Sequence, residues 1–465
     1  MGERMNKYFL GKHKSITGSS IAHLKVFPEG RADGEGGRTV NSPQEMLKGM
    51  TEFYSALWDE KPSDKVERDF FLRKIKRVIT DQDVRGLLAP YTAAEVYREI
   101  VSGGSGTSPG TDGFPYEVYK AITRREKVDD EYQYSEICHI LASVFNDVAR
   151  RENLPNEFLD GVLSILHKKG DPALLSNYRP LTVMNTDYRL YTAILAKRMT
   201  SAFKNIIGEY QMAFMPGRLI DDNIRLVQGL IDRYKETPGE GLVMLFLDQV
   251  KAYDRVGHEW MYKILRKFRV PKIIIQRIQA LSTGTGVWGY INGYRTENLI
   301  QTKSGVRQGD ALSCILFNIT IEVLHLAILE DPRISGIPLK EGSTAVTKSA
   351  GYADDTVIFL KDDRSAIAAA TLMERYEKAS GSRTNWKKSY KLSIGDMAPS
   401  ISIYPQIRVV SPDDPQTLGY SGFEDGEDTA KLGEMSLVDA RAKACSGYID
   451  ALDTALLLQI PRTQF

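Results

Sequence analysis

Apolar residues recur at the spacing of an amphipathic helix over several stretches of this chain. The spacing predicts helices around 51–58, 92–100, 134–153, 186–206, 257–269 and 364–380. Thr92 and Glu95 occupy the positions of a capping box, and Gly381 is a typical C-terminal stop for the last of these helices. The stretch 312–329 is apolar on nearly every side, which predicts a buried helix.

Strand patterns occupy the centre of the chain. Six consecutive apolar residues, 242–247, end at Asp248 and predict a buried strand. The segment SAGYADDTVIFL predicts two strands that form a hairpin through Asp354 and Asp355. Further strands are predicted on either side of Asn292. Two of these predictions place acidic residues where a strand ends.

The two ends of the chain carry weaker patterns. Residues 1–45 contain GRADGEGGR and little apolar periodicity, so we expect a poorly structured lead-in. The last 50 residues combine an acidic loop with a helix predicted around 436–458. We find no internal repeat of the length that builds solenoids.

Composition indicates an ordinary globular protein. Hydrophobic residues make up 42% and charged residues 26% of the 465 residues, which excludes wholesale disorder and collagen-like repeats. The longest unbroken apolar run, 242–247, is far shorter than the ~20 residues of a membrane-spanning helix, so no membrane is expected. Three scattered cysteines form neither a disulfide framework nor a zinc cluster. They fit a reducing compartment, and we expect an intracellular protein of the nucleus or the cytoplasm.

Charge is distributed unevenly, although the net charge is only +1. Residues 161–220 carry a net charge of +5, residues 261–310 a net charge of +7, and residues 411–440 a net charge of −7. The two basic stretches could form a groove for a polyanion, or they could be solvated helix faces. Charge alone leaves both alternatives open.

Two groups of carboxylates suggest metal chemistry. Asp248 and Asp254 follow the buried strand, and Asp354 and Asp355 lie in the hairpin. Hard cations such as Mg²⁺ bind carboxylate oxygens and keep positions for substrate phosphates. Such a site requires acids from different elements to meet, and adjacent aspartates are also ordinary turn formers. The acids alone would also suit a nuclease or a strand transferase.

A succession of motifs narrows this choice. FLDQVKAYD, SGVRQGDALSCILFN and GYADDTVIFL occur in that order. They are preceded by SPGTDG, LHKKGDPALLSNYRPLTV and YQMAFMPGRLIDDNI, and followed by ASGSRTNWKKS and TLGYSGF. The succession, over about residues 92–423, resembles the reverse transcriptase domain of non-long-terminal-repeat (LINE-like) retrotransposons.

The resemblance implies roles for the acids and their neighbours. Asp248 and Asp354 match the aspartates that bind two Mg²⁺ ions (Mn²⁺ is possible), and Asp355 matches an auxiliary carboxylate. Asp254 closes its motif and is expected to be structural. Tyr253 matches the bulky aromatic residue that excludes ribonucleotides, and strand-to-helix packing is its alternative role.

Basic residues and glycines receive roles in the same way. Lys168 or Lys169 matches a lysine of the fingers that binds the incoming triphosphate. Arg179 matches a second ligand of the triphosphate, and Arg307, Gln308 and Gly309 match residues that lie against the templating base. Lys388 matches a general acid for the departing pyrophosphate, and Lys387 competes for this role. Gly419 matches a residue of the primer grip.

The implied fold is α+β and has the right-hand polymerase architecture. We expect the lead-in at 1–45, N-terminal helices and fingers at 46–240, the palm at 241–410, and a primer grip with a curtailed thumb at 411–465. Ala311 and Cys314 replace prolines that are usual in the family, which should loosen the start of the following helix.

The implied activity is RNA-directed DNA synthesis, and the implied partners are an RNA template, a DNA primer and deoxynucleoside triphosphates. Protein partners are not indicated. We identify no endonuclease domain before residue 46 and no cysteine-rich knuckle after residue 423. The alternative is therefore a catalytically silent, nucleic-acid-binding relic or fragment of such an element.

Overall fold

The computed structural model describes residues 20–31, 36–128, 130–151, 154–168, 170–339, 344–395 and 407–410. The described residues form two compact units, and each unit draws on separate parts of the chain. The first takes its residues from 1–62, 77–206 and 253–320, and the second from 63–76, 207–252 and 321–465.

Helices are the main regular elements of the first unit. They are α1 (Pro43–Leu57), α3 (Asp81–Leu88), α4 (Ala93–Ser102), α5 (Tyr116–Ile122), α6 (Glu136–Val148), α7 (Asn156–Leu159), α8 (Thr186–Phe203), α10 (His258–Lys267) and α11 (Lys272–Ser282). The helix α12 (Ala311–Glu330) begins in this unit and ends in the second. Side-chain caps fix several helix starts: Thr92 and Glu95 form the predicted capping box of α4, and Ser42 caps α1.

A five-stranded sheet organises the first unit. Its strands are β5 (Gly161–His167), β6 (Tyr178–Met184), β8 (Gly286–Ile291), β9 (Tyr294–Arg295) and β10 (Ile300–Gln301). The order is β10-β8-β5-β6, with β9 paired to β8. Two separate hairpins, β1 (Leu24–Val26) with β2 (Arg38–Val40) and β3 (Arg125–Val128) with β4 (Glu131–Tyr134), accompany it.

The core of this unit joins the N-terminal segment to the sheet. Leu24 and Met50 are fully buried in one apolar cluster with Leu163 of β5 and Val287 of β8. The described part of the expected loose lead-in is therefore packed, because its few apolar residues cover one face of the sheet. The sequence pattern did not reveal this, since the strands β1 and β2 are only three residues long.

The second unit is built on another five-stranded sheet. Its strands are β7 (Gly241–Leu247), β13 (Ser349–Tyr352), β14 (Asp355–Leu360), β15 (Tyr390–Gly395) and β16 (Arg408–Val410), in the order β13-β14-β7-β15-β16. The helices are α2 (Lys65–Leu72), α9 (Ile220–Glu236) and α13 (Asp363–Ser380), and a small hairpin pairs β11 (Ile337–Pro338) with β12 (Val346–Thr347).

Alternation along the strands determines which face of this sheet is covered. Leu242 and Met244 of β7, Phe359 of β14 and Leu392 of β15 share one apolar cluster with Leu230 of α9. At the far end of the same face, Phe246 and Tyr390 are only partly buried. This face is therefore covered at one end and more open at the end where β7 finishes.

Most of the predicted elements are confirmed. Helices occur at all six predicted positions, the strand 242–247 is β7, and the hairpin at Asp354 is formed by β13 and β14. Gly381 ends α13 in the left-handed conformation, as expected. Mixed helices with mainly antiparallel sheets confirm the α+β class. The helix expected around 436–458 lies outside the described residues.

The helix α12 is long and apolar enough to cross a membrane, judged by its length and composition alone. However, 83% of its most apolar window is buried inside the protein. This burial confirms the prediction of a buried helix, which was based on apolar residues on nearly every side.

Candidate active site

The strand β7 delivers Asp248 to the open end of the sheet in the second unit. The Asp248 amide donates to Ser389 Oγ at 3.1 Å, and the Asp248 carbonyl accepts from the Asn385 amide at 2.8 Å. Two bonds to one neighbouring segment hold the backbone of Asp248, while its side chain is half-buried. Ser389 was not identified from the sequence, since an isolated serine after a lysine pair carries no distinctive pattern.

The β13–β14 turn brings the second pair of acids to the same end of the sheet. Leu247 of β7 lies opposite Thr356 of β14 in an antiparallel ladder. Continued by one residue, this register places Asp248 level with Asp355, and Asp354 lies next to it in the turn. Directly opposite residues of such a ladder have Cα atoms about 4.5–5.5 Å apart. The structure thus brings Asp248 close to two predicted acids, Asp354 and Asp355, that follow it by 106 and 107 residues in the chain.

Two aromatic side chains lie on the same face as Asp248. The rings of Phe246 and Tyr390 stack with their centroids 4.5 Å apart and their planes 11° apart. Because side chains alternate along a strand, Phe246 and Asp248 point to one face. This pair was not identified from the sequence, although the period of two from Asp248 back to Phe246 could have indicated it.

The lysine pair follows in a turn that leads into β15. Lys387 and Lys388 are both exposed, and the Lys388 amide donates to the Asn385 carbonyl at 3.0 Å. The turn is therefore attached to Asp248 through Asn385 and Ser389. Both lysines lie in this turn, so each is a candidate for the predicted general acid.

Within the first unit, the predicted triphosphate ligands share one end of the β5–β6 hairpin. Arg179 of β6 lies opposite Leu166 of β5, and the Lys168 amide donates to the Asn177 carbonyl at 2.9 Å. Lys168 is exposed and Arg179 is half-buried. Lys169 lies outside the described residues, as does Gly419.

The loop at 304–310 is held by a buried carboxylate. Asp254 is 2% exposed, and its two oxygens accept from Trp58 Nε1 at 2.8 Å and from Gln308 Nε2 at 2.9 Å. The Gln308 carbonyl accepts from the Thr182 amide at 2.8 Å, so β6 also fixes this loop. The contacts support the expected structural role of Asp254. Trp58 was not identified from the sequence, because nothing in its surroundings marks a contact 196 residues away.

Arg307 and Gly309, predicted beside Gln308 in the template contact, differ in what surrounds them. The Arg307 guanidinium donates to the Leu159 carbonyl at 3.1 Å and lies over the ring of Tyr188 at 5.3 Å. The side chain is thus engaged with its own unit. Gly309 has a φ of +106°, a conformation that only glycine adopts readily.

Burial perturbs two ionisable groups near this loop. His258 Nε2 lies 2.7 Å from the Gly305 carbonyl, and burial lowers the pKa of the imidazole. Burial also raises the pKa of the Asp310 carboxyl, which is 6% exposed. The hydrogen bond to the Gly305 carbonyl opposes the lowering of the His258 pKa, because the charged imidazole and the neutral tautomer with its proton on Nε2 can both donate to that oxygen.

The ring of Tyr253 is fixed from one side. It stacks on Phe317 with centroids 4.6 Å apart and planes within 6°, and the Tyr253 carbonyl accepts from the Val306 amide at 2.9 Å. The stacking gives a rigid, half-buried aromatic side chain. Such a side chain suits both the predicted exclusion of ribonucleotides and the alternative packing role.

No three His, Cys, Asp or Glu side chains in the described part of the chain are grouped closely enough to hold a metal ion. The acids at the end of β7 and in the β13–β14 turn are therefore carboxylates on neighbouring strands that do not by themselves form a complete set of metal ligands.

Comparison with known proteins places these residues in a family. The family model described as "Reverse transcriptase (RNA-dependent DNA polymerase)" matches residues 166–424. That range contains Asp248, Asp354 and Lys388 and covers more than half of the chain.

Individual relatives come from mobile genetic elements. The chain is 29% identical over 365 residues to the transposon TX1 uncharacterized 149 kDa protein of Xenopus laevis, covering 78% of this chain and 26% of that protein. It is 26% identical over 294 residues to the Pol polyprotein of the type-2 retrotransposable element R2DM of Drosophila melanogaster, covering 63% and 24%. A probable RNA-directed DNA polymerase from the transposon X-element of the same fly is 26% identical over 175 residues, covering 37% and 18%. The chain thus spans about a quarter or less of the length of these relatives.

Proposed function

The chain belongs to the reverse transcriptase family, and from that premise we propose that it is the RNA-directed DNA polymerase of a non-long-terminal-repeat retrotransposon. The observation that carries the proposal is the register of β7 and β14, which sets Asp248 beside Asp355 at one end of a sheet. The family implies the right-hand polymerase fold. We assign the second unit to the palm, because its sheet bears these acids.

The acidic residues fit hard divalent cations. Carboxylate oxygens are the ligands that Mg²⁺ prefers, and one or two carboxylates together with substrate phosphates and water complete many of its sites. We propose that Asp248 and Asp354 are shared ligands of two Mg²⁺ ions, for which Mn²⁺ could substitute, and that Asp355 assists them. When bound, such ions lower the pKa of a hydroxyl and neutralise charge on phosphate oxygens.

The remaining residues bind and orient the substrates. A nucleoside triphosphate brings about four negative charges, for which Arg179 offers a planar fork of donors and Lys168 a mobile charge. Lys388, or its neighbour Lys387, would give a proton to the departing pyrophosphate. Tyr253 would crowd a 2′-hydroxyl on the incoming sugar. The proposed substrates are deoxynucleoside triphosphates, a DNA primer and an RNA template.

Primer extension tests the proposal directly. The full chain is incubated with an RNA template, an annealed DNA primer, deoxynucleoside triphosphates and Mg²⁺. Asp248→Asn and Asp354→Asn should each reduce extension by on the order of 10³-fold, because each removes charge that stabilises the transition state. Asp69→Asn changes an exposed aspartate of α2 and should leave the rate unchanged.

A parallel filter-binding assay with the same duplex separates loss of chemistry from loss of binding. We expect both site variants to retain the duplex, since backbone contacts by basic side chains provide most of the affinity. Near wild-type extension by Asp248→Asn would contradict the assignment of the site. Duplex binding without extension by the unaltered chain would instead support the catalytically silent relic.

A further inference from the structure

Ala353 lies in the acid-bearing turn with an unusual backbone conformation. It is flanked by Tyr352 and Asp354, is 7% exposed, and has a φ of +55°. This left-handed region is unfavourable for a residue with a Cβ atom. A strained, buried residue beside a reactive group persists only when its surroundings hold it in place.

A single side chain satisfies both backbone groups of Ala353. Gln211 is fully buried; its Oε1 accepts from the Ala353 amide at 2.9 Å, and its Nε2 donates to the Ala353 carbonyl at 3.2 Å. The same Oε1 accepts from the Ala213 amide at 3.1 Å, which orients the carboxamide from its own loop. Neither the peptide of Ala353 nor the carboxamide of Gln211 can turn without breaking several buried hydrogen bonds.

The backbone around Gln211 is itself attached to β13. The Gly351 amide donates to the Tyr210 carbonyl at 2.8 Å, and the Met212 amide donates to the Gly351 carbonyl at 3.0 Å. Asn223 of α9, 4% exposed, adds a bond from its Nδ2 to the same Gly351 carbonyl at 3.0 Å. The loop therefore acts as a short extra strand that presents Gln211 to the turn.

We propose that Gln211 is a positioning residue for Asp354 and Asp355, because its carboxamide holds the Ala353 peptide in the left-handed conformation from which both carboxylates project. The inference rests on the proposed function only for the consequence in catalysis. The contact itself is a property of the second unit. Glutamine suits this task because it offers a donor and an acceptor on one planar group.

The first test removes the carboxamide and keeps the shape. Gln211→Met in the full chain should lower kcat for primer extension by on the order of 100-fold, because misplaced catalytic groups are costly. The KM for the incoming nucleotide should change by no more than about twofold, since the triphosphate ligands are untouched. The Mg²⁺ concentration for half-maximal activity should rise. Gln133→Met, at an exposed position of β4, is the matched control.

The second test separates positioning from general packing. Ala353→Gly added to Gln211→Met should recover about tenfold of the lost kcat, because glycine adopts a positive φ without a Cβ penalty. Gln211→Glu keeps the acceptor and loses the donor, so its kcat should fall between the values for the wild type and Gln211→Met. An effect of Gln211→Met no larger than that of Gln133→Met, or no recovery by Ala353→Gly, would overturn the proposal.

Amide hydrogen exchange provides a readout that does not depend on activity. The Ala353 amide should exchange faster in Gln211→Met than in the wild type and at an unchanged rate in Gln133→Met. If the unaltered chain extends no primer, the proposed function fails. The exchange rates still test whether Gln211 holds the Ala353 peptide. Equal exchange rates of the Ala353 amide in wild type and Gln211→Met would refute the proposal that Gln211 holds this peptide. Gln211→Glu is used for the same comparison should the methionine variant not fold.

Discussion

Several side chains in the second unit are polar yet fully enclosed, and His325 is the clearest case. It is 0% exposed, its Nδ1 lies 3.2 Å from Ser349 Oγ, and its ring stacks on Tyr210 at 4.6 Å. Burial lowers the pKa of this imidazole to about 4. The folded protein therefore holds His325 neutral over a pH range in which an unfolded histidine, with a pKa of about 6.5, takes up a proton.

This difference predicts a dependence of stability on pH. The unfolded state binds more protons between about pH 6.5 and pH 4, so the free energy of unfolding should fall by about 3 kcal/mol as the pH falls through that window. His325→Gln should remove this part of the dependence, as measured by urea unfolding at several pH values. His139→Gln, at an exposed position of α6, should leave it in place. An identical pH profile for wild type and His325→Gln would contradict the expectation.

Helix ends are the elements in which sequence and structure correspond most closely. Thr92 with Glu95 and Gly381 were predicted from residue type alone, because capping is a local interaction between neighbouring residues. The β5–β6 hairpin and the helices α9 and α11 were not predicted. The strand β5 is buried along most of its length and therefore lacks the alternation that marks a half-exposed strand.

Two glycines should respond in opposite directions to the same substitution. Gly381→Ala places a Cβ atom at a φ of +77° and should lower the free energy of unfolding by about 1–2 kcal/mol. Gly86→Ala lies in the exposed interior of α3 with no atom within 4 Å of the added Cβ, and should raise it by about 0.5–1 kcal/mol. Thermal unfolding of both variants measures the contrast, and changes of the same sign would show that helix-end geometry does not govern these positions.

At the scale of the whole molecule, the charge distribution makes a prediction about binding. The basic stretch 261–310 contains exposed residues such as Lys267 and Lys272. The net charge of the whole chain, +1, does not reveal this local excess of positive charge. If this stretch contacts phosphates, Lys267→Ala should weaken binding of duplexes of any sequence and reduce the salt dependence of log K by about one. Fluorescence anisotropy between low and moderate salt measures the slope.

Lys48→Ala changes an exposed lysine of α1 and serves as the control. An unaltered slope for Lys267→Ala would show that the stretch is a solvated helix face, which is the alternative that the sequence left open.

Long-range contacts mark the limit of what the sequence could predict at this scale. Recognised motifs indicated that Asp248 and Asp354 should meet, and the ladder of β7 with β14 provides the means. The attachments of these motifs, such as Gln211 to Ala353 and Trp58 to Asp254, join residues more than 140 positions apart. No spacing rule reaches that far, because only folding brings such residues together.

The core shared by the N-terminal segment and the first sheet bears on how such a protein could evolve. Leu24, Met50 and Trp58 precede the family match that begins at residue 166, yet they pack in one cluster with Tyr178 and Val287, which lie inside it. The start of the family match thus falls within the residues that build a single hydrophobic core. A recombination event at that position would join two parts of one core that were selected with different partners, so the hybrid would carry the family's motifs in a less stable first unit.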